Sequence, residues 1–468
     1  MRVANAGQSR FVTSREPCAA QELAASTNTE EAKMLPGKNI VTLMVCGLLG
    51  VGAAVAHADA VTDWNAITVD AIVAGRPGPG PIGVVDIALV QVAVHDAVQA
   101  IDQRFEPYLV EIAGARGRRP AAVAAAAHDM LIGMFPAQAG TLDATYFTYL
   151  ADHGLSGDPG ILVGQKVAAR VLPLRRVNPD PLPPPFVGGS GTGQWRPTNS
   201  FLGNPPLPAP FSSMAAPWMA EFDPFTLTSP TRFRAPPPPA LTSALYARDY
   251  NEVKNLGALV NSTRSAEQTD LAYFYSGNVP AQWNSALRGV ANRYLHRIGD
   301  SARLFALASM AVADATITCW DTKKMYAYWR PLTAIQEGDH DGNPQTVGDP
   351  AWQPLINTPP YPDYSSGANN VAGATTRTLQ LFFGTDRVTF DVNTLVPQAV
   401  RKTRTYHRFS EAAQDMVNAR IYLGIHFRTA DLVGRAQGRR VADWTFNHFL
   451  LPLDDEHGGR WNHDDLDE

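Results

Sequence analysis

Three short segments in the second half of the chain collect residue types suited to holding a tetrahedral oxyanion. They are Lys323-Lys-Met-Tyr-Ala-Tyr-Trp-Arg330-Pro331, Ser365-Ser366-Gly367-Ala368 and Arg420-Ile-Tyr-Leu-Gly-Ile-His426. The first and third supply three fixed cations, Lys323, Arg330 and Arg420, and one imidazole, His426. The second supplies the Ser366 hydroxyl and the backbone N–H of Gly367. A multiply charged anion taken out of water must be paired and hydrogen-bonded, and these groups do both.

The elements that must position them follow from spacing. Lys323 and Arg330 are seven apart, nearly two turns of a helix, which predicts one shared face and about 10 Å between them along the axis. Pro331 is expected to stop that helix. A solvated basic stripe is the alternative, but the flanks Trp320, Met325, Tyr326, Tyr328 and Trp329 read as a buried wall. Ser366 and Gly367 precede a helix predicted from Ala368 to Phe382, whose N-terminus offers unpaired N–H groups to an anion; alone, the segment reads as an ordinary N-cap. Arg420 and His426 would diverge on an unbroken helix. Gly424 supplies the break, with Arg420 on the last turn, His426 just beyond, and Thr429 capping the next helix.

The rest of the chain reads as helix with one long interruption. Residues 59–174 show helical spacing (Ala66, Val69 and Val73; then Leu89, Val92, Ala93, Ala97 and Ala100) and an alanine-rich run from Pro120 to Met134. Residues 175–240 are Pro- and Gly-rich (Pro179 to Pro185, Pro205 to Pro210, Pro236 to Pro239) and cannot be regular helix or central strand. They also carry Trp195, Trp218, Phe222, Phe225 and Phe233, so they are expected to wrap over the surface in an ordered way. Helices resume over 241–453, beginning at Leu241, with a capping box at Ser265 and Gln268. Further helices are predicted over Ala281–Ile298, Ser301–Tyr328, Ser410–Tyr422 and Thr429–Phe449. The fold class is all-α, two packed helical bundles. Residues 454–468 form an acidic tail in which His457 and His463 read as solvated rather than metal-binding.

Residues 1–58 read as an N-terminal extension and signal peptide: Lys38, an apolar run from Ile40 to Val55, then Ala56-His57-Ala58, which would leave Asp59 first. Translation starting at Met34 gives the simplest n-region; an uncleaved anchor is the alternative. Beyond Ala58 no segment reads as long and uncharged enough to span a bilayer, since even Ile82–Val98 carries Asp86, His95 and Asp96. The expectation is an exported protein, periplasmic or secreted, off the membrane after cleavage. Only Cys319 remains of three cysteines, so an intramolecular disulfide is impossible in the mature chain. The net charge of −5 argues against nucleic acid as a partner.

In that order, Lys-x6-Arg-Pro, a Ser-Gly segment and Arg-x5-His resemble the signature of the vanadium-dependent haloperoxidases and the related phosphatidic acid phosphatases and bacterial acid phosphatases. Asp63-Trp-Asn-Ala, Trp195-Arg-Pro-Thr, Tyr250 to Leu256 with Thr263-Arg-Ser-Ala-Glu-Gln, and Gly424-Ile-His-Phe extend the resemblance to exported bacterial haloperoxidase-like proteins. By position the resemblance implies that Lys323, Arg330 and Arg420 neutralise vanadate, or phosphate in the same pocket, with Ser366 and Gly367 donating hydrogen bonds. His426 becomes the axial ligand to vanadium, or the nucleophile on phosphorus in a phosphatase. Trp320 and Tyr361 fall where the family places aromatics beside the halide site, although core packing explains them as well.

The departure is Ala368, where the family has an acid–base histidine. His340, in the Gly338-Asp-His-Asp-Gly342 turn, reads as a surface residue and no replacement. Three functions follow in order of preference. The first is a vanadate-dependent peroxidase using hydrogen peroxide on bromide, iodide or an organic sulfide, weakened by Ala368 and not expected to oxidise chloride. The second is an anion-binding protein without turnover. The third is an acid phosphatase acting through a phospho-His426 and limited to good leaving groups.

Overall fold

The computed structural model describes residues 59–75, 82–174, 184–198 and 213–453. The N-terminal extension with Met34, the prolines at 179–183 and 205–210, and the tail with His457 and His463 lie outside the described residues. Within them the chain forms thirteen α-helices and one two-stranded hairpin. The all-α expectation holds.

Five helices make up the first half: α1 (Ala60–Gly75), α2 (Ile82–Asp102), α3 (Arg119–Met134), α4 (Ala139–Asp152) and α5 (Gly160–Val171). Pro120 sits in the first turn of α3, where its missing N–H costs nothing. The second half holds α6 (Ala244–Leu256), α7 (Ala266–Phe274), α8 (Val279–Tyr294), α9 (Ile298–Tyr326), α10 (Pro331–Gln336), α11 (Gly367–Phe382), α12 (Phe409–Tyr422) and α13 (Arg428–His448). An antiparallel hairpin, β1 (Phe390–Asn393) with β2 (Thr403–Tyr406), precedes α12. Ser265 and Gln268 make the reciprocal capping box at the start of α7.

The 29-residue α9 joins the two bundles. It packs on α2 from the first and on α11 and α13 from the second. Every residue from Gly299 to Trp320 is buried, as expected of a helix that is apolar nearly all round. Its hydroxyls bond back to the preceding turn, Thr316 to Val312 O and Thr318 to Asp314 O. Both α9 and Gly83–Asp102 are long and apolar enough to cross a membrane by length and composition, which corrects the sequence expectation. Each is buried against other helices instead.

The described parts of the Pro-rich connection are an ordered wrap held by polar contacts. The buried Asp314 carboxylate accepts from the backbone N–H of Phe225, Thr226 and Leu227 and from the Thr226 hydroxyl. Arg234 makes a bidentate pair with Asp321, and the tyrosines Tyr326, Tyr364 and Tyr328 donate to the carbonyls of Ala235, Pro236 and Pro239. Trp195 is buried.

Helix α11, whose N-terminus carries the second sequence segment, and α13, which follows the third, approach at backbone distance. Cβ atoms built on Gly434 and Gly438 of α13 would fall 2.4 Å from Ser366 O and 2.1 Å from Asn370 O, and one on Gly373 of α11 would fall 2.3 Å from Arg435 O. Only glycine fits there. That contact fixes the N-terminus of α11 against α13.

Candidate functional site

Lys323 lies in the last turn of α9, but the helix does not run on to Arg330. Ala327 adopts a left-handed conformation (φ 41°) and closes α9 by donating to Lys323 O. Residues 327–329 then pair with the Pro-rich connection, Trp195 N–H to Ala327 O (2.6 Å) and Trp329 N–H to Gly193 O (3.0 Å). Arg330 is extended, and Pro331 begins α10 rather than stopping a helix. The shared-face prediction is therefore corrected: a turn, not helical periodicity, brings Arg330 beside Lys323. Its guanidinium bridges two loops, with Nε donating to Tyr361 O (2.8 Å) and Nη1 to Ile425 O (2.6 Å).

Gly367 is the first residue of α11 and Ser366 its N-cap, one residue earlier than expected. Ser366 makes no side-chain cap bond, so the ordinary-cap reading does not account for it. Its hydroxyl pairs with the buried Asp431 carboxylate, and Asn369 Nδ2 bridges Ser366 Oγ (3.3 Å) and Asp431 Oδ1 (2.8 Å). An oxyanion would compete with Asp431 for that hydroxyl.

Arg420 occupies the last turn of α12, and Gly424 makes the break at φ +78°. Thr429 does not cap α13. The helix starts at Arg428, and the Thr429 N–H is taken by Asp249 Oδ2 at 2.8 Å. A carboxylate from α6 thus neutralises the helix N-terminus next to His426.

His426 is buried, with Nδ1 2.7 Å from Asp363 Oδ1 and Nε2 3.0 Å from Arg330 Nη1. A guanidinium can only donate, so Nε2 accepts and the proton sits on Nδ1, facing Asp363. Burial, then Arg330, Lys323 and Arg420, push the imidazole well below its ordinary pKa. It is a neutral ring with its Nε2 lone pair aimed at the cations. Burial also lowers Lys323 to about 8 and raises Asp363 to about 7 against the pull of Arg330 and Lys323. Lys323 Nζ donates to the carbonyls of Pro362 (2.5 Å) and Asp363 (3.1 Å).

Of the six residues named from the sequence, Lys323, Arg330 and Arg420 lie near enough to His426 to lower its pKa, and Ser366 and Gly367 open α11. Tyr361 lies against the cations, its ring centre 4.9 Å from the Arg330 guanidinium and 5.1 Å from Lys323 Nζ. Trp320 packs on Tyr361 at 5.1 Å between ring centres, and a Cβ on Gly367 would come within 3.2 Å of its ring. Gly367, Ala368, Trp320, Tyr361 and Arg420 line a common cavity of about 200 Å³. His340 is exposed and stands away from it.

Sequence reasoning missed Asp363, Asp431 and Asn369. The one available signal was an acidic residue, Asp363, inside a segment otherwise suited to an anion. Two buried donor atoms, Arg330 Nη2 and Arg420 Nε, find no hydrogen-bond partner among the described residues. Unmade bonds on buried guanidinium groups are costly. They fit a tetrahedral oxyanion whose oxygens would accept from both, and so the residues present fit vanadate or phosphate.

Residues 303–454 match the family model described as the VCPO second helical-bundle domain. A vanadium chloroperoxidase from Curvularia inaequalis is 27% identical over 286 residues, 47% of this chain and 46% of that protein. The chain therefore spans about half the length of that curated relative. Among solved structures, the first bacterial vanadium-dependent iodoperoxidase superposes with a TM-score of 0.69 at 24% identity, over 85% of this chain and 97% of that one. An apo-type bacterial vanadium-dependent chloroperoxidase gives 0.65 at 16% identity, over 80% and 95%. These structural likenesses establish the fold.

Proposed function

Taking as premise that this chain belongs to the vanadium haloperoxidase superfamily, we propose that it is a vanadate-dependent peroxidase. It uses hydrogen peroxide to oxidise bromide, iodide or an organic sulfide. The observation that carries the reading is the pair of orphaned buried donors, Arg330 Nη2 and Arg420 Nε, beside a neutral imidazole. Vanadate, when bound, would supply Lewis-acid activation of peroxide.

The chain's own groups then have defined tasks. Lys323, Arg330 and Arg420 neutralise the oxyanion, and Gly367 N–H and Ser366 Oγ–H donate to it. His426 would hold the vanadium through Nε2, while Asp363 accepts from Nδ1 and so fixes the tautomer that leaves Nε2 free to ligate. Trp320 and Tyr361 wall the approach. We place the mature protein outside the cytoplasm on the strength of the signal-like residues 34–58.

Ala368 lines the cavity, and no histidine or carboxylate lines it with Ala368 among the described residues. That favours weak turnover where a proton must be delivered, and it keeps the anion-binding protein as the second reading. The test is bromination of a reporter dye by the protein from Asp59 onward, with peroxide and bromide, with and without vanadate. Vanadate-dependent turnover lost in His426→Ala supports the peroxidase. Saturable vanadate binding with no turnover on bromide, iodide or sulfide leaves the binder. Ala368→His is expected to raise bromination by about 10²–10⁴-fold.

A further inference from the structure

We propose that the tip of the β1–β2 hairpin docks the mature protein on an anionic lipid surface, with Leu395 and Val400 entering the apolar layer. Docking there is independent of the peroxidase reading.

Among the described residues Leu395 and Val400 are the two most exposed large apolar side chains, at 97% and 83% of their full surface. They lie five apart on one loop, residues 394–402. Single exposed leucines and valines are ordinary, but two this bare on one tip are not. Their neighbours face the other way: Ala399 is buried, and Val396 packs on the core. The loop is also firmly held. Thr394 N–H donates to Lys402 O (2.9 Å) and closes its base, and Lys402 Nζ donates to the carbonyls of Val396 (2.6 Å) and Pro397 (3.2 Å). Asp270 of α7 accepts from the N–H groups of Val400 (2.6 Å) and Arg401 (3.2 Å). The two side chains are thus presented with no loop left to order on docking.

Size and charge select the occupant. A stable protein interface covers about 800 Å² on each partner, far more than two side chains on a turn can offer. A lipid surface needs no complementary pocket, only apolar depth and headgroup charge. The charged residues of the loop, Arg401 and Lys402, are both exposed cations that follow Val400 directly, where anionic headgroups would meet them. Glu267 pairs with Arg401 (3.1 Å) and with Arg404 (2.9 Å), and Asp270 with Arg404 (2.7 Å). Two carboxylates therefore face three cations, and the tip stays positive. Asp391 stands further back on β1, in register with Thr405. The expectation of a mature protein off the membrane rested on the lack of a spanning segment, and a docked tip spans nothing.

The tip also adjoins the cavity beside Ala368. A Cβ on Gly277 would stand 3.0 Å from Val396 Cγ2, and Gly277 lines that cavity together with Ser276, Asn278 and Val279. Docking by the tip sets the cavity close to the lipid.

The test uses the mature chain from Asp59 with vesicles of phosphatidylglycerol and phosphatidylethanolamine, against vesicles of phosphatidylcholine alone. In co-sedimentation the wild type should bind the anionic vesicles and partition about fivefold less onto the neutral ones for each cation engaged. Leu395→Ser and Val400→Ser alter only exposed side chains and should each lower partitioning at least roughly tenfold, with vanadate affinity unchanged. A polarity-sensitive fluorophore on Leu395→Cys should shift to the blue on the anionic vesicles; Cys319, the other thiol of the mature chain, is buried. Wild type that stays in solution, partitioning unchanged in either serine variant, or binding with no fluorophore shift overturns the proposal. So does a dimer in sedimentation velocity that Leu395→Ser dissociates, because a second copy would then cover the tip.

Discussion

An alanine at Gly434 would place a methyl carbon 2.4 Å from Ser366 O and 3.0 Å from Ser366 N. Carbon–oxygen contact becomes favourable only near 3.5 Å, so α13 and the N-terminus of α11 must separate by about 1 Å. The obstructing atoms are backbone and cannot rotate aside. Overpacking of this kind costs about 1–3 kcal/mol, and the gain in helix propensity returns about 0.5–1 kcal/mol, for a net loss near 1–2 kcal/mol. Scaling the unfolding entropy per residue to a chain of this length turns that into a fall in Tm of only about 2 °C. Ser366 and Gly367 would move by about the same 1 Å relative to Lys323, Arg330 and Arg420, and a misplacement of that size costs on the order of 10² in a preorganised site. A 10²-fold loss is about 2.7 kcal/mol, so binding should suffer more than stability. Gly289 is the control: it is exposed in α8 with open space where a Cβ would go, so Gly289→Ala should stabilise by about 0.5–1 kcal/mol and leave binding alone. Calorimetric titration with vanadate and thermal unfolding, run on both variants, give the two readouts. Unchanged vanadate affinity in Gly434→Ala, or equal behaviour of the two glycines, would refute the reasoning.

Two further outcomes concern the scaffold. Asp314→Ala strips the acceptor from three backbone N–H groups and the Thr226 hydroxyl, and should lower stability by roughly 3–5 kcal/mol; a urea midpoint equal to wild type would remove Asp314 as the anchor of the connection. His95, buried with Nε2 3.0 Å from Glu106 O, is lowered to about 4 by burial, with Arg303 adding and the Glu106 carbonyl opposing. The folded state thus binds fewer protons than the unfolded one between pH 6.5 and 4. Its stabilising effect is full above pH 6.5 and is lost as pH falls to 4, a change of roughly 3 kcal/mol. In His95→Gln that part of the acid destabilisation should vanish from chemical-denaturation curves taken across this window, and an unaltered pH slope would contradict it.

The helices were legible because their periodicity and caps are local, as at Ser265 with Gln268 and at Pro120. The nearness of Lys323, Arg330 and Arg420 to His426 was legible too, because the segments that carry them stay short. The turn at Ala327 was not legible. Met325-Tyr-Ala-Tyr-Trp329 carries no glycine or proline, and what breaks the helix is pairing with Gly193 and Trp195, more than a hundred residues away. Pro331 was read as a stop because proline is equally at home in the first turn of a new helix. Asp363 and Asp431 were missed for an electrostatic reason. A carboxylate beside an oxyanion looks unfavourable in a sequence, and only the fold shows one holding His426 Nδ1 and the other paired with Ser366.

The central claim is that three buried cations, a helix N-terminus and a neutral imidazole form one oxyanion pocket. Calorimetric titration of the mature protein with vanadate, repeated with phosphate as competitor and with Arg330→Ala, tests it most directly. The account predicts one saturable equivalent of vanadate, displaced by phosphate and lost in Arg330→Ala while the variant stays folded. Absence of saturable binding by either anion, or binding that survives the loss of Arg330, would contradict it.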